Sequence, residues 1–412
     1  MTDETPWNRT LSAAFEEDLL TDYVPDALGA ADIRHRLARG RALGTEPLNI
    51  GQLQVPLARR VESIPVLSCA GRAHLLRLTE QALAAHTPRR EVFSYRSPRW
   101  QYRSAYQARQ HHLRALAARP GLPLVLVLDI HRFGRSLPLD TLLRAPWMTE
   151  HLAGTLADLE RAAGRLLLPG HRWANRLGTA ALAPLDDTMA VLAPGRWARW
   201  GDDLHVFVRD RGEADTIRSA VATVLAPLGL RLSPDKCHVA SVASVLAGPA
   251  RVIAGRPQEL WRTGLANADE RALRYALSRT PPDDEVSQTL VGALRGRDAL
   301  LPRAVHYLDR AAHTPSAQRA ATQLLHTAEP LAFTAARLLP LAGRRPHLAR
   351  EVPDRLLDSA EASGFLPLRE LAYRVDILRG RRRPHAPSPR IQSAVLSGLL
   401  DPRQLPQTTT LL

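Results

Sequence analysis

Lysine is all but missing from this chain: of 55 basic residues, 54 are Arg and one is Lys, at position 236. Cysteine is scarce as well. Cys69 and Cys237 cannot build a disulfide framework, and no Cys/His cluster has zinc spacing. Aromatic residues make up only 5% of the chain, but 45% is apolar and 23% charged, an ordinary globular composition that excludes general disorder. No apolar run reaches the ~18 residues of a membrane helix, so no membrane span is expected. The opening stretch, MTDETPWNRTLSAAFEEDLL, is acidic and has no apolar core, so no secretory signal is expected and a reducing cytoplasm is the expected location. Acidic residues are too few to balance Arg, and the formal net charge is +14. That excess favours a polyanionic partner such as nucleic acid, although an Arg-rich surface also arises from composition bias.

The length, 412 residues, supports two or three domains with ample core. Residues 1–120 read as helices with short strands, extended at 53–56 and 64–67 and helical over 72–86. Residues 121–255 hold the clearest strands. LPLVLVL, over 122–128, has the near-continuous apolar character of a strand buried on both faces. Residues 204–209 alternate, with Leu204, Val206 and Val208 on one face. Helices are expected at 158–168 and 215–228. Residues 256–412 form the third region, and from about 265 the spacing is helical, in segments such as DERALRYALSRT and SAQRAATQLLHT. Successive helices of this length make either a repeat array or a plain bundle. RGRRRPHAPSPR, over 379–390, reads as a basic loop, either a solvated linker or a nucleic-acid contact.

The strand at 122–128 runs directly into Asp129. A carboxylate ending a buried strand puts charge at a sheet edge or cleft, where a cation can compensate it. Farther on, RWGDDLHVFV sets Asp202 and Asp203 between Gly201 and an alternating strand, the pattern of a β-hairpin whose turn presents both carboxylates. A lone DD pair is most often just a turn. Three carboxylates on neighbouring strands, however, repel one another unless a metal neutralises them. Hard oxygen donors suit Mg²⁺, which keeps waters and substrate phosphates among its ligands. Two such ions activate a 3′-hydroxyl and stabilise a departing pyrophosphate.

In their order along the chain these segments resemble the palm of reverse transcriptases. VLVLDIHRFGRSL resembles the first catalytic motif, LLLPGHRWANRLGTAALAPLDD the second, RWGDDLHVFV the Tyr-x-Asp-Asp hairpin, and LGLRLSPDKCHV the fourth motif with Lys236. Upstream, VPLARRVESIPVLSCAGR and EVFSYR resemble the fingers segments of abortive-infection and other defence-associated bacterial reverse transcriptases, in which helical repeats commonly follow the palm. The motif resemblance covers roughly residues 45–245.

It implies an α+β fold: right-hand polymerase fingers and palm, then an all-α domain of HEAT-like repeat or bundle type. Asp129, Asp202 and Asp203 are the implied metal ligands for two Mg²⁺. Lys236 is the implied acid, near the leaving pyrophosphate. Lys can give up a proton where Arg effectively cannot, which gives the one Lys of an Arg-rich chain a chemical reason. Ile130, Phe133, Gly134, Gly170, Arg59, Arg60 and Arg72 are the implied nucleotide-binding residues. Arg suits a triphosphate through its bidentate fork.

Several positions depart from the family pattern. Gly134 stands where an aromatic usually blocks the ribose 2′-hydroxyl, Trp200 replaces the hairpin Tyr, and Ala174 and Pro169 replace polar residues of the second motif. The literal Gly-Asp-Asp is common in RNA-dependent RNA polymerases, which usually carry a second Asp in the first motif that this chain lacks. The expected activity is Mg²⁺-dependent DNA synthesis from dNTPs, templated or untemplated, in antiphage defence. Its partners are RNA or DNA, nucleoside triphosphates and, compatibly, further copies of the chain. A polymerase accepting ribonucleotides and a catalytically weak nucleic-acid-binding scaffold are the alternatives. Tyr275, Tyr307 and Tyr373 are candidate protein primers, against ordinary packing roles for each.

Overall fold

Two extended segments, β1 (Ile50–Leu57) and β2 (Arg60–Leu67), pair antiparallel as a hairpin with Leu53 opposite Ile64. Leu53, Val55, Ile64 and Val66 are buried and join the core formed by the C-terminal helices. β1 approaches that core so closely that a Cβ on Gly51 would lie 2.4 Å from the Phe365 ring, so only glycine fits there without displacing the ring. These features come from a computed structural model, which describes residues 48–57, 60–97, 100–247 and 256–381, with short helical stretches at 11–15, 30 and 33–34. Most of the basic loop at 379–390 lies outside the described residues. The described Arg379 and Arg381 both bind Asp354, each at 2.7 Å.

Contacts divide the chain into two units. The first draws mainly on Gly71–Arg251, the second on Pro47–Ala70 and Val252–Leu412. The expected boundary at 120 is therefore not where the contacts divide the chain. The hairpin, expected with the fingers-like region, packs with the C-terminal helices because its apolar face is completed there.

The first unit is built on a four-stranded antiparallel sheet. Its strands are β3 (Leu124–Leu128), β4 (Trp197–Trp200), β5 (Asp203–Val208) and β6 (His238–Ser241), in the spatial order β4-β5-β3-β6. With helices between β3 and β4 and between β5 and β6, the chain order is β-α-β-β-α-β. β3 is central, as its unbroken apolar run predicts. The alternation expected of β5 is incomplete: Phe207 is buried as fully as Val206 and Val208. Phe207 packs on the opposite face with Phe93, Leu113, Leu116 and Val125, so both faces of the sheet are covered.

Helix α1 (Cys69–Ala82) precedes the sheet, and α2 (Tyr102–Ala117) covers one face through Leu113 and Leu116. α3 (Glu150–Ala163) is capped by Thr149 and begins well before its expected start. α4 (Arg172–Ala181) and α5 (Ala183–Leu192) lead into β4. α6 (Arg211–Leu225), capped by Asp210, packs against β3 and β5.

In the second unit, nine helices follow among the described residues: α7 (Pro257–Ala266), α8 (Glu270–Arg279), α9 (Asp284–Leu294), α10 (Leu301–Arg310), α11 (Pro315–Thr327), α12 (Ala332–Gly343), α13 (Pro346–Glu351), α14 (Asp354–Ala362) and α15 (Leu366–Leu378). Their packing decides between array and bundle. α7, α9, α11, α13 and α15 contact one another in sequence, as do α8, α10, α12 and α14. This is the two-layer stacking of a repeat array, each helix pair burying its apolar face on the next. Tyr307, one of the candidate primers, is 1% exposed within the array. Its hydroxyl donates to the Asp283 carbonyl at 2.8 Å and accepts from the Asp283 amide at 2.9 Å, a packing role that removes it as a primer. No helix among the described residues is long and apolar enough to cross a membrane.

Candidate active site

Antiparallel register brings the three aspartates to one end of the sheet. Leu128, the last residue of β3, pairs with Leu204, so Asp129 follows beside Asp203. β4 and β5 are joined by a two-residue turn, Gly201-Asp202, with Trp200 paired to Asp203. Gly201 has φ +62° with open space around its Cα, so glycine is needed here for backbone conformation rather than for room. Positive φ at the first turn residue alone is the II′ pattern, whose twist matches the flanking strands.

The turn is held from both sides of one residue. The Gly201 amide donates to the Ser94 hydroxyl at 2.7 Å, and its carbonyl accepts from Arg199 Nη1 at 2.7 Å. Arg199 is wholly buried and binds Asp186 through both carboxylate oxygens, at 2.6 and 2.5 Å. Burial pushes the Asp186 carboxyl up while the Arg199 guanidinium pulls it down. Ser94 is positioned in turn by α4. Arg176 donates to the Tyr95 carbonyl at 2.7 Å and forms a buried bidentate pair with Glu80 of α1. Arg172 donates to the carbonyls of Ser97 and Trp100.

Electrostatics in the cluster are unbalanced. Burial, reinforced by the neighbouring charges of Asp203 and Asp129, pushes the Asp202 carboxyl up to about 6. Burial and Asp129 also raise Asp203, against the pull of Arg109 and Lys236. Lys236 Nζ donates to Asp129 Oδ2 at 2.9 Å, and this bond is the main reason its own pKa is raised. The loop that brings Lys236 there is pinned to Asp129. The Ser233 amide donates to the Asp129 carbonyl at 2.8 Å, and the Cys237 thiol packs against the Asp129 backbone. Beside Asp203, Arg109 Nη2 donates to His205 Nδ1 at 3.0 Å. Burial first, then Arg109 and His238, lower His205 to about 4, so its ring is neutral.

This donor set fits Mg²⁺: three carboxylates, all hard oxygen, with too few adjacent cations to neutralise them. Among the described residues no three His, Cys, Asp or Glu side chains form a ready-made metal group. Mg²⁺ does not require one, because water and substrate phosphates complete its shell.

The expected nucleotide-binding residues are less gathered. Ile130 is buried, bridging to Leu232. Phe133 is half-buried, with its ring over Gly178 of α4. Gly134 has room: a Cβ there would meet only Leu167, at 3.8 Å or more. Arg72 is 1% exposed and reaches the Gly170 carbonyl at 3.5 Å, so both serve the packing of the second-motif loop in this structure. Arg60 belongs to β2, in the other unit, and Arg59 lies outside the described residues. Ser94, Arg199, Asp186 and Arg176 are the supporting residues that sequence reasoning missed. All four lie inside the motif segments EVFSYR, LLLPGHRWANRLGTAALAPLDD and RWGDDLHVFV, but nothing in those segments marks them as supports of the turn.

No protein-family model matches the chain, and no curated protein matches it.

Proposed function

We propose that the chain is a Mg²⁺-dependent nucleotidyltransferase of reverse-transcriptase type, synthesising DNA from dNTPs in antiphage defence. The observation that carries this reading is the meeting of Asp129 with the Asp202-Asp203 turn on adjacent antiparallel strands, with Lys236 bonded to Asp129. Mg²⁺, held by Asp129, Asp202 and Asp203, would favour ionisation of the attacking 3′-hydroxyl and neutralise the departing pyrophosphate. Lys236 is protonated at neutral pH and 66% exposed at its side chain, so its ammonium has both a proton to give and the freedom to leave Asp129 for a phosphate oxygen. Arg199 and Ser94 keep the turn in one conformation, so the carboxylates need little reorganisation when substrate arrives.

Ribonucleotide use is the second reading, favoured by the open space at Gly134. Extension of a labelled primer on RNA and DNA templates, with dNTPs or NTPs and with or without Mg²⁺, tests both. Mg²⁺-dependent dNTP incorporation lost in Asp202→Asn is the expected result. Incorporation unchanged by that substitution, or none with any nucleotide, would overturn the assignment.

A further inference from the structure

Five aromatic rings gather beside the Gly201-Asp202 turn. Tyr95 stacks on Trp100 at 4.2 Å, and Trp100 lies 5.7 Å from Trp200. Tyr102 and Tyr106 meet Trp200 edge-on at 5.4 and 5.8 Å. These two rings are 6.0 Å apart and within 6° of parallel. The cluster is graded from dry to wet: Trp100 is 7% exposed, Tyr106 43% and Tyr102 57%. Rings whose only role was core packing would be covered. Tyr102 and Tyr106, one helical turn apart on α2, instead stack on each other and remain exposed.

Their setting is cationic. The helix sequence, YRSAYQARQHHLRALA, contains three Arg, two His and no acidic residue. Arg103 and Arg114 are exposed, as are Ser104, Gln107 and Ala108 of the same helix. The helix is tied down from below: besides the Arg109–His205 bond, His112 Nε2 contacts the Trp197 carbonyl of β4 at 3.0 Å. The helix is thus anchored to the sheet, and Trp200, which both tyrosines meet, pairs with Asp203.

We propose that Tyr102 and Tyr106, backed by Trp200, form a stacking platform for unpaired bases of a single-stranded nucleic acid lying beside the catalytic turn. Every base has a π-face, so such a platform is indifferent to sequence, while Arg103 and Arg114 meet the phosphates. The exposed arginines and the lack of any acidic residue on this helix favour a polyanionic strand over a protein partner. The inference deepens the nucleotidyl-transfer reading, on which it rests for the platform's purpose.

The test is binding without Mg²⁺ or nucleotides, so that it is independent of catalysis. The probes are a fluorescein-labelled oligo(dT) and an abasic oligomer of equal length, compared by anisotropy. The wild-type protein should bind the base-bearing strand about tenfold to hundredfold more tightly, the effect expected of stacking. Tyr102→Ala/Tyr106→Ala should erase that preference while retaining the weaker abasic binding. Tyr102→Phe/Tyr106→Phe should preserve it, because stacking needs the ring and not the hydroxyl. Equal wild-type affinity for the two probes, or a preference that survives the double alanine change, would overturn the platform. A preference lost with the rings in a protein that never extends a primer would uphold the platform and sink the polymerase reading alone.

Discussion

The guanidinium of Arg199 bonds at once to the Asp186 carboxylate and, 2.7 Å away, to the carbonyl of Gly201. A wholly buried ion pair thereby sets the conformation of the turn that presents Asp202. Removing one partner of a buried pair leaves the other charge uncompensated, which costs about 3–5 kcal/mol. Asp186→Ala should therefore lower the unfolding free energy by about that much in denaturant titrations. Asp186→Leu combined with Arg199→Met, which removes both charges, should cost less than either single change.

The aspartate cluster predicts opposite effects on stability and synthesis. Asp202→Asn removes one of three mutually repelling carboxylates, so thermal melts without divalent cation should show an unchanged or raised Tm. Added Mg²⁺ should stabilise the wild-type protein more than the variant, and primer extension by the variant should be lost. A variant that gains as much from Mg²⁺ as the wild type would place the metal elsewhere.

Lys236→Arg preserves a cation for Asp129 but removes the transferable proton. Single-turnover extension should fall by about 10²–10⁴, the usual contribution of a general acid. Triphosphate affinity should change far less. Equal rates would reduce Lys236 to a partner of Asp129.

Gly134 is outside the left-handed region, and a side chain begun there meets only ordinary contact with Leu167. Gly134→Phe should be tolerated in thermal melts and should depress NTP incorporation more than dNTP incorporation. Parallel steady-state assays with the two nucleotide sets measure this. If the native protein already excludes NTPs, the sugar gate is another residue.

Acid stability should report on Glu213. Burial pushes its carboxyl up, but bonds from the Arg209 amide and from the guanidinium groups of Arg196 and Arg209 outweigh this and hold it at about 2. A folded-state pKa below the unfolded value of 4.5 stabilises the fold above pH 4.5, and that stability is lost as pH falls towards 2. Glu213→Gln should accordingly be less stable than wild type at neutral pH. The gap should close between about pH 4.5 and pH 2 in urea titrations.

The parts of this fold legible in the sequence are those with local causes. β3 announces itself because every residue of LVLVL is apolar, and the Gly201-Asp202 turn because glycine precedes two aspartates and an alternating strand. The supporting structure has no such local mark. α4 contains Arg172 and Arg176, which read as surface residues, yet both are buried with partners 72 to 96 residues away. In a chain with this much Arg, nothing nearby distinguishes Arg199 of β4, whose partner lies 13 residues back on helix α5. The hairpin β1–β2 is legible as two strands, but what it packs on depends on Phe365, some three hundred residues away.

That hairpin also limits how the molecule can be divided. Pro47–Ala70 belongs with the helical array, whereas the chain from Gly71 onward builds the sheet that carries the aspartates. A polypeptide ending at residue 255 would keep β1 and β2 but lose the helices that cover Leu53, Val55, Ile64 and Val66, and would carry an uncovered apolar ribbon ahead of an intact sheet. One genetic cut cannot release the sheet-bearing unit cleanly, because the second unit draws on segments from both sides of it.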